Sequence, residues 1–129
     1  MDFNLKNRTC LVTGASSGIG AGVVRLMAQQ GARVAATARR LDKIERLDGV
    51  TALAGDVTNT QDIARIAAEA TTALGSIDIL VNCAGGSRPT GPDAPEDVWE
   101  EAFALNFTAA RLLTKALLPA MRQRKWGRI

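Results

Sequence analysis

The chain has 129 residues, enough for one domain with a hydrophobic core, and its 47% hydrophobic and 22% charged residues are proportions of a globular chain, not a disordered one. No apolar run approaches the roughly 20 residues that span a bilayer, and the opening MDFNLKNRT has no signal-peptide core, so a cytoplasmic protein is expected. The net charge of +3 invites a nucleic-acid partner, but residues 47–101 are acidic on balance while the two ends are basic. The Lys and Arg residues are spread out and not interleaved with aromatics, so no nucleic acid is expected.

The elements alternate along the chain. Thr9–Thr13 reads as a strand buried on both faces, followed by a glycine-rich turn and a helix whose apolar positions are Ile19, Val23, Leu26 and Met27, with Gly31 at its C-terminal cap. Arg33–Thr37 is a second strand, followed by a short helix through Ile44 and Leu47. Thr51–Gly55 is a third, alanine-rich strand. Thr58 and Gln61 have the spacing of a capping box, opening a helix with Ile63, Ile66, Ala67, Ala70 and Leu74 on one stripe. Asp78–Asn82 is the fourth strand. A loop rich in Gly and Pro covers 85–95, and Pro95-Glu-Asp then starts a long helical stretch carrying Trp99, Phe103, Leu112, Leu113, Leu117 and Met121 up to Gly127. Strands that alternate with helices imply right-handed βαβ units. The expected fold is therefore α/β: a doubly wound, Rossmann-like parallel sheet in three α/β/α layers, strand order 3-2-1-4, formed by residues 1–129 as one dinucleotide-binding domain. Gly127-Arg-Ile129 reads as the opening of a fifth strand, so the chain is expected to be cut there. Cys10 and Cys83, the two cysteines, fall near opposite ends of neighbouring strands and are expected to remain unpaired. The cysteine count suggests no disulfide framework, and no metal site is expected.

The stretch TGASSGIG, Thr13 to Gly20, follows a strand and opens a helix, the setting of a phosphate-binding turn. Gly14 permits a tight turn, Gly18 admits a pyrophosphate to the backbone, and Gly20 lets helix and strand pack closely. The helix N-terminus offers free N–H groups to an anion. The spacing is Gly-x-x-x-Gly-x-Gly, which is neither GxGxxG nor a P-loop.

Thr-Gly-x-x-x-Gly-Ile-Gly, followed in order by Asp56-Val57, Asn82-Cys-Ala-Gly85 and Leu105-Asn-Phe-Thr, resembles the short-chain dehydrogenase/reductase family from Leu5 onward. The resemblance implies a nicotinamide dinucleotide held by Gly14, Ser16, Ser17, Gly18, Ile19 and Gly20, with Asp56 and Val57 at the adenine. It also implies that Asn82, Ala84 and Gly85 steady the sheet beside the cofactor, Cys83 standing where the family has a second Asn. Asn106 matches the catalytic Asn, whose implied role is to distort its helix and hold a water on the proton path. Asp56 could instead only cap the next helix, and Asn82 could be purely structural.

Cofactor choice turns on the end of strand two, where an acid would select NAD. By the family resemblance Ala38 stands in that position and Arg39 beside it, so Arg39, with Arg40, is expected to face a 2′-phosphate. NADP is the expected cofactor and NAD the alternative; the bland reading is two solvated arginines. In the resemblance, hydride transfer to or from a carbonyl or alcohol uses a Tyr, a Lys four residues later and a Ser. This chain contains no Tyr, so the catalytic half is expected beyond Ile129 and these residues alone are expected to be inactive. Homo-oligomers (dimer or tetramer) and a small-molecule substrate complete the expectation. A non-catalytic dinucleotide-binding module is the rival.

Overall fold

The computed structural model describes residues 2–129. Four parallel strands, β1 (Thr9–Thr13), β2 (Arg33–Ala38), β3 (Val50–Ala54) and β4 (Ile79–Val81), form one sheet in the order β3-β2-β1-β4. β1 is central, paired on one side with β2 (Val12 opposite Ala36) and on the other with β4 (Val12 opposite Val81). All five of its residues are buried, as its uninterrupted apolar pattern requires of a strand covered on both faces. Successive side chains alternate between the faces. Leu11 and Ala35 join a core with Ile63, Ile66, Leu74, Leu113 and Leu117. Cys10, Val12, Val34 and Ala36 join another with Val24 and Ile44. Arg128 makes a parallel bridge to Ile79 on the outer edge of β4, its N–H donating to the Asp78 carbonyl at 3.0 Å.

Helix α1 (Gly18–Gln29) ends in a Schellman turn: the Gly31 N–H donates to the Ala28 carbonyl and the Ala32 N–H to that of Met27, both at 3.0 Å. Gly31 takes the left-handed φ of +80° that this turn demands. Between β2 and β3 the expected short helix is only a single 3-10 turn at Leu41–Lys43. Ile44 leaves it in extended conformation to reach the core, and Gly49 (φ +79°) turns the chain into β3 before a helix has room to form.

Helix α2 (Thr60–Leu74) buries all five residues of the expected stripe. Its cap lies one residue later than the Thr58–Gln61 spacing suggests. Asn59 is the N-cap, its Oδ1 accepting from the N–H groups of Gln61 (2.9 Å) and Asp62 (3.1 Å), because the Thr58 hydroxyl is engaged by Asp56. The last helical stretch is divided. α3 (Glu96–Phe103) and α4 (Ala109–Gln123) are joined by a π-helical turn, Ala104–Thr108, centred on Asn106. Among the described residues no helix is long and apolar enough to cross a membrane.

Candidate functional site

In a sheet of this order the chain leaves β1 towards β2 on one side, and β4 lies on the other. The C-terminal ends of the strands therefore border a crevice that no crossover fills. A cleft of about 600 Å³ lies there, lined by Gly14, Ser16, Ser17, Gly18, Ile19 and Gly20 from the turn after β1, and by Ala38 and Arg39 from the end of β2. Asp56, Val57, Ala84 and Gly85 complete the set of anticipated residues that it gathers. Arg40 and Asn82 are exposed and outside the lining; Asn106 stands just behind it, against Gly85.

The glycines of the turn do different work. Gly14 has a φ of +61°, and a Cβ there would lie 2.7 Å from the Ala84 nitrogen, so the turn is pressed onto the segment that follows β4. A Cβ on Gly20 would run into the carbonyl of Gly14, which fixes how closely α1 approaches β1. Gly18 also has positive φ (+53°), but nothing lies within 4 Å of where its Cβ would be. Its side faces open space in the cleft.

Polar groups along this wall lack protein partners. Ser17 is the N-cap of α1, yet its side chain makes no capping hydrogen bond, and no acid lies in the helix's first turn. The first N–H groups of α1 thus keep both their donors and the partial positive charge of the helix end. Arg39 is exposed and forms no ion pair or side-chain hydrogen bond among the described residues. Thr37 Oγ1, in a residue only 1% exposed, is a buried side-chain oxygen with no hydrogen-bond partner. Unpaired buried polar atoms are rare in folded proteins, and this one belongs to a residue that lines the cleft.

Opposite, the Asp56 carboxylate is held through Oδ1, which accepts from the Thr58 N–H at 2.9 Å and the Thr58 hydroxyl at 2.7 Å. Asp56 therefore does not cap α2. Asn106 is exposed, not buried in an apolar helix, and both of its amide N–H groups and one lone pair of its Oδ1 are engaged. Oδ1 accepts from the Gly86 N–H at 3.0 Å, while Nδ2 donates to the carbonyls of Gly86 (2.8 Å) and Ala102 (3.0 Å). This two-way clamp ties the loop after β4 to the π turn and accounts for the break between α3 and α4. Asn82 makes no side-chain hydrogen bond among the described residues.

Sequence reasoning passed over Thr13. Its hydroxyl accepts from the N–H groups of Cys83 (3.2 Å) and Ala84 (3.0 Å) and so joins the glycine turn to the end of β4. It also passed over Glu101, a cleft residue on α3 paired at 2.6 Å with Arg88 of the loop after β4. Thr13 was visible as the first letter of the motif; the partner of Glu101 depends on how the loop folds back. Both cysteines are free. Burial pushes the Cys10 thiol from 9.0 up to about 12, with Cys83 adding to the rise.

The statistical model of the short chain dehydrogenase family matches residues 8–129. The chain belongs to that family. A short chain dehydrogenase of Pseudocercospora fijiensis is 40% identical over 97% of this chain and 44% of its own length. A metagenomic short-chain oxidoreductase, solved in complex with NADP, superposes with a TM-score of 0.87 at 34% identity, covering 95% of this chain and 60% of the other. A 3-ketoacyl-(acyl-carrier-protein) reductase of Brucella melitensis, solved with NADH, gives 0.86 at 28% identity, covering 93% and 52%. The chain spans about half the length of the curated relatives it matches.

Proposed function

We propose that residues 1–129 are the dinucleotide-binding part of an NADP-dependent oxidoreductase that interconverts a carbonyl and an alcohol. The observation that carries the cofactor reading is Arg39, an exposed guanidinium without a partner at the end of β2, beside Ala38 where an acid would repel a 2′-phosphate. A guanidinium gives paired donors to phosphate oxygens. The pyrophosphate would be held by the free N–H groups at the start of α1, by Ser16 and Ser17, and against the open side of Gly18. Asp56 and Val57 would border the adenine end. One solved relative carries NADP and another NADH, so support for the phosphorylated cofactor comes from this chain's own residues.

When bound, the nicotinamide supplies the hydride-transfer chemistry. In this reading Ala84 and Gly85 form the wall along which it lies, and Asn106 shapes that wall by fixing Gly86 from both its N–H and its carbonyl. Both N–H groups of the Asn106 amide are engaged in that clamp, so a water it positions would be held at the remaining lone pair of its Oδ1. No Tyr occurs in the chain, and the acid–base group is proposed to lie in the remainder of a longer protein. The 129 residues alone are then inactive. A cytoplasmic, self-associating protein completes the reading, supported by the free thiols and by Trp99, Phe103 and Phe107, which are 47%, 61% and 58% exposed along α3 and the π turn.

Titration calorimetry with NADPH and NADH tests the reading. NADPH should bind more tightly to the wild type, and Arg39→Ala should remove that difference. Equal affinities in the wild type would refute the NADP assignment. Turnover of NADPH with a panel of ketones by the 129-residue chain would refute its inactivity.

A further inference from the structure

The Asp56–Val57 wall of the cleft is not held by its own strand alone. β3 ends at Ala54, and Gly55 makes the last ladder bond, its N–H donating to the Ala38 carbonyl at 3.0 Å. Beyond that point the chain lies on the first turns of α2. A Cβ on Gly55 would sit 2.5 Å from Ile66 Cδ1 and 3.3 Å from Arg65 Nη2, so the approach is as close as a backbone without a side chain allows. The next N–H, that of Asp56, donates to Asp62 Oδ2 at 2.8 Å, and the other oxygen of that carboxylate takes Arg65 Nη2 at 3.1 Å.

Asp62 is the third residue of α2, a position from which an acid commonly reaches back to the N-cap residue. Here the N-cap is Asn59, which satisfies α2 by itself. The Asp62 carboxylate reaches past it to a residue six positions earlier, at the mouth of the cleft. The hydrogen bond from the Asp56 N–H and that from Arg65 hold this carboxyl below the usual carboxylate range, so it is ionised at neutral pH. Because the Asp56 side chain is fixed to Thr58 from its Oδ1, holding its backbone N–H sets the whole residue.

We infer that Asp62, outside the cleft itself, is a positioning residue for the adenosine end of the dinucleotide: through the Asp56 N–H it fixes where Asp56 and Val57 present themselves. The inference rests on the dinucleotide reading of the cleft. It differs from a helix-capping role because the helix already has its cap.

The test uses the 129-residue chain with three probes: NADPH, adenosine 2′,5′-bisphosphate for the adenosine end, and inorganic pyrophosphate for the glycine turn. Asp62→Ala should weaken NADPH and adenosine 2′,5′-bisphosphate by about tenfold, the loss of one charge-assisted hydrogen bond. Pyrophosphate affinity should not change. Asp62→Asn, which keeps an acceptor for the Asp56 N–H, should recover most of the loss. Hydrogen exchange in the ligand-free protein should accelerate at the Asp56 amide in Asp62→Ala while the α2 amides keep their protection. Equal weakening of all three probes, or unchanged adenosine 2′,5′-bisphosphate affinity, overturns the inference. So does unchanged exchange at Asp56, which needs no ligand and therefore separates this failure from that of the cleft assignment. A wild type that binds none of the probes overturns the dinucleotide reading and the positioning role together.

Discussion

Both ends of the sheet carry arginines: Arg8, Arg33, Arg124 and Arg128 at the N-terminal end are engaged, whereas Arg39 at the other end is left free. At the N-terminal ends of the strands nearly every polar group meets another. Asp78, its side chain 16% exposed, lies 3.8 Å from Arg8 and 3.6 Å from Arg124, and its Oδ2 accepts from the Thr9 N–H at 3.2 Å. Arg124 also donates to the Ile77 carbonyl at 2.8 Å, and Arg33 donates to the carbonyls of Ala73 and Leu74, which end α2. The guanidinium carbons of Arg8 and Arg128 lie over the Trp126 ring, 3.8 and 4.9 Å from its centroid. At the C-terminal ends, by contrast, Arg39, Ser17 and the start of α1 lack protein partners beside open space, and Thr37 Oγ1 is buried next to them without one. A group engaged inside the fold contributes to stability; a group left free at a concave surface is available to a ligand. The comparison predicts that substitutions at one end change stability, and at the other end change binding.

The glycine turn is the exception that joins both properties, and the largest effect is expected there. Gly14→Ala places a methyl against the backbone of Ala84 and forces an L-residue to keep a φ of +61°. The expected cost is on the order of 3 kcal/mol, combining left-handed strain with overpacking. Gly18→Ala carries the strain without the collision, and should cost about 1 kcal/mol. Urea denaturation of the two variants checks the difference; equal losses would show that the contact with Ala84 is unimportant.

Asp78→Ala comes next. It leaves the Thr9 N–H without that acceptor and Arg8 and Arg124 without their common carboxylate, for an expected loss of about 2 kcal/mol. NADPH affinity should be unaffected. Arg39→Ala is its counterpart, with stability expected within about 0.5 kcal/mol of the wild type. Its NADPH affinity should fall by about 10–100-fold, a loss of 1.5–3 kcal/mol. If Arg39→Ala melts as early as Asp78→Ala in parallel thermal scans, the division between the two ends fails.

That division was only half legible in the sequence. Strand order, the α2 stripe and the glycine turn were readable because apolar periodicity and glycine spacing are local signals. Of the four apolar positions expected on α1, only Val23 and Met27 pack on the core; Ile19 and Leu26 are exposed, and Val24 is buried instead. That the helix is distorted at Asn106 followed from the family resemblance, though not that the distortion is a π turn. Its cause, a side-chain amide gripping Gly86 twenty positions earlier in the chain, depends on tertiary contact. The cap of α2 was misjudged by one residue because Thr58 and Asn59 are both good N-caps, and the competing bond from Thr58 to Asp56 decides between them. The helix expected at Ile44 and Leu47 failed because burial of Ile44 outweighed local propensity. Nothing local distinguishes Arg39, left free, from Arg8 or Arg124, tied to Asp78. Asp62 escaped notice because its partner is a backbone N–H, which carries no letter in the sequence.

The smallest predicted effect is a rate. Cys83 lines the cleft and is half-buried, and partial desolvation raises its thiol pKa, so little thiolate is present at neutral pH. A maleimide should therefore label Cys83 slowly, and faster as the pH rises. Cys10, fully buried in β1 with its pKa pushed up to about 12, should not react in the folded chain. Because that pKa is raised, the associated stability is fully present below the ordinary thiol value of 9.0 and is lost as pH rises through about 12. Labelling is best followed below pH 9, where this contribution does not distort the comparison. Saturating NADPH should slow Cys83 modification by several-fold, since the ligand covers the thiol. Mass spectrometry of tryptic peptides assigns the label to one cysteine or the other. Labelling of Cys83 at an unchanged rate under saturating NADPH would mean that the bound nucleotide does not extend along the β4 wall. The free polar groups near Arg39 and Ser17 would then mark the whole of the occupied cleft.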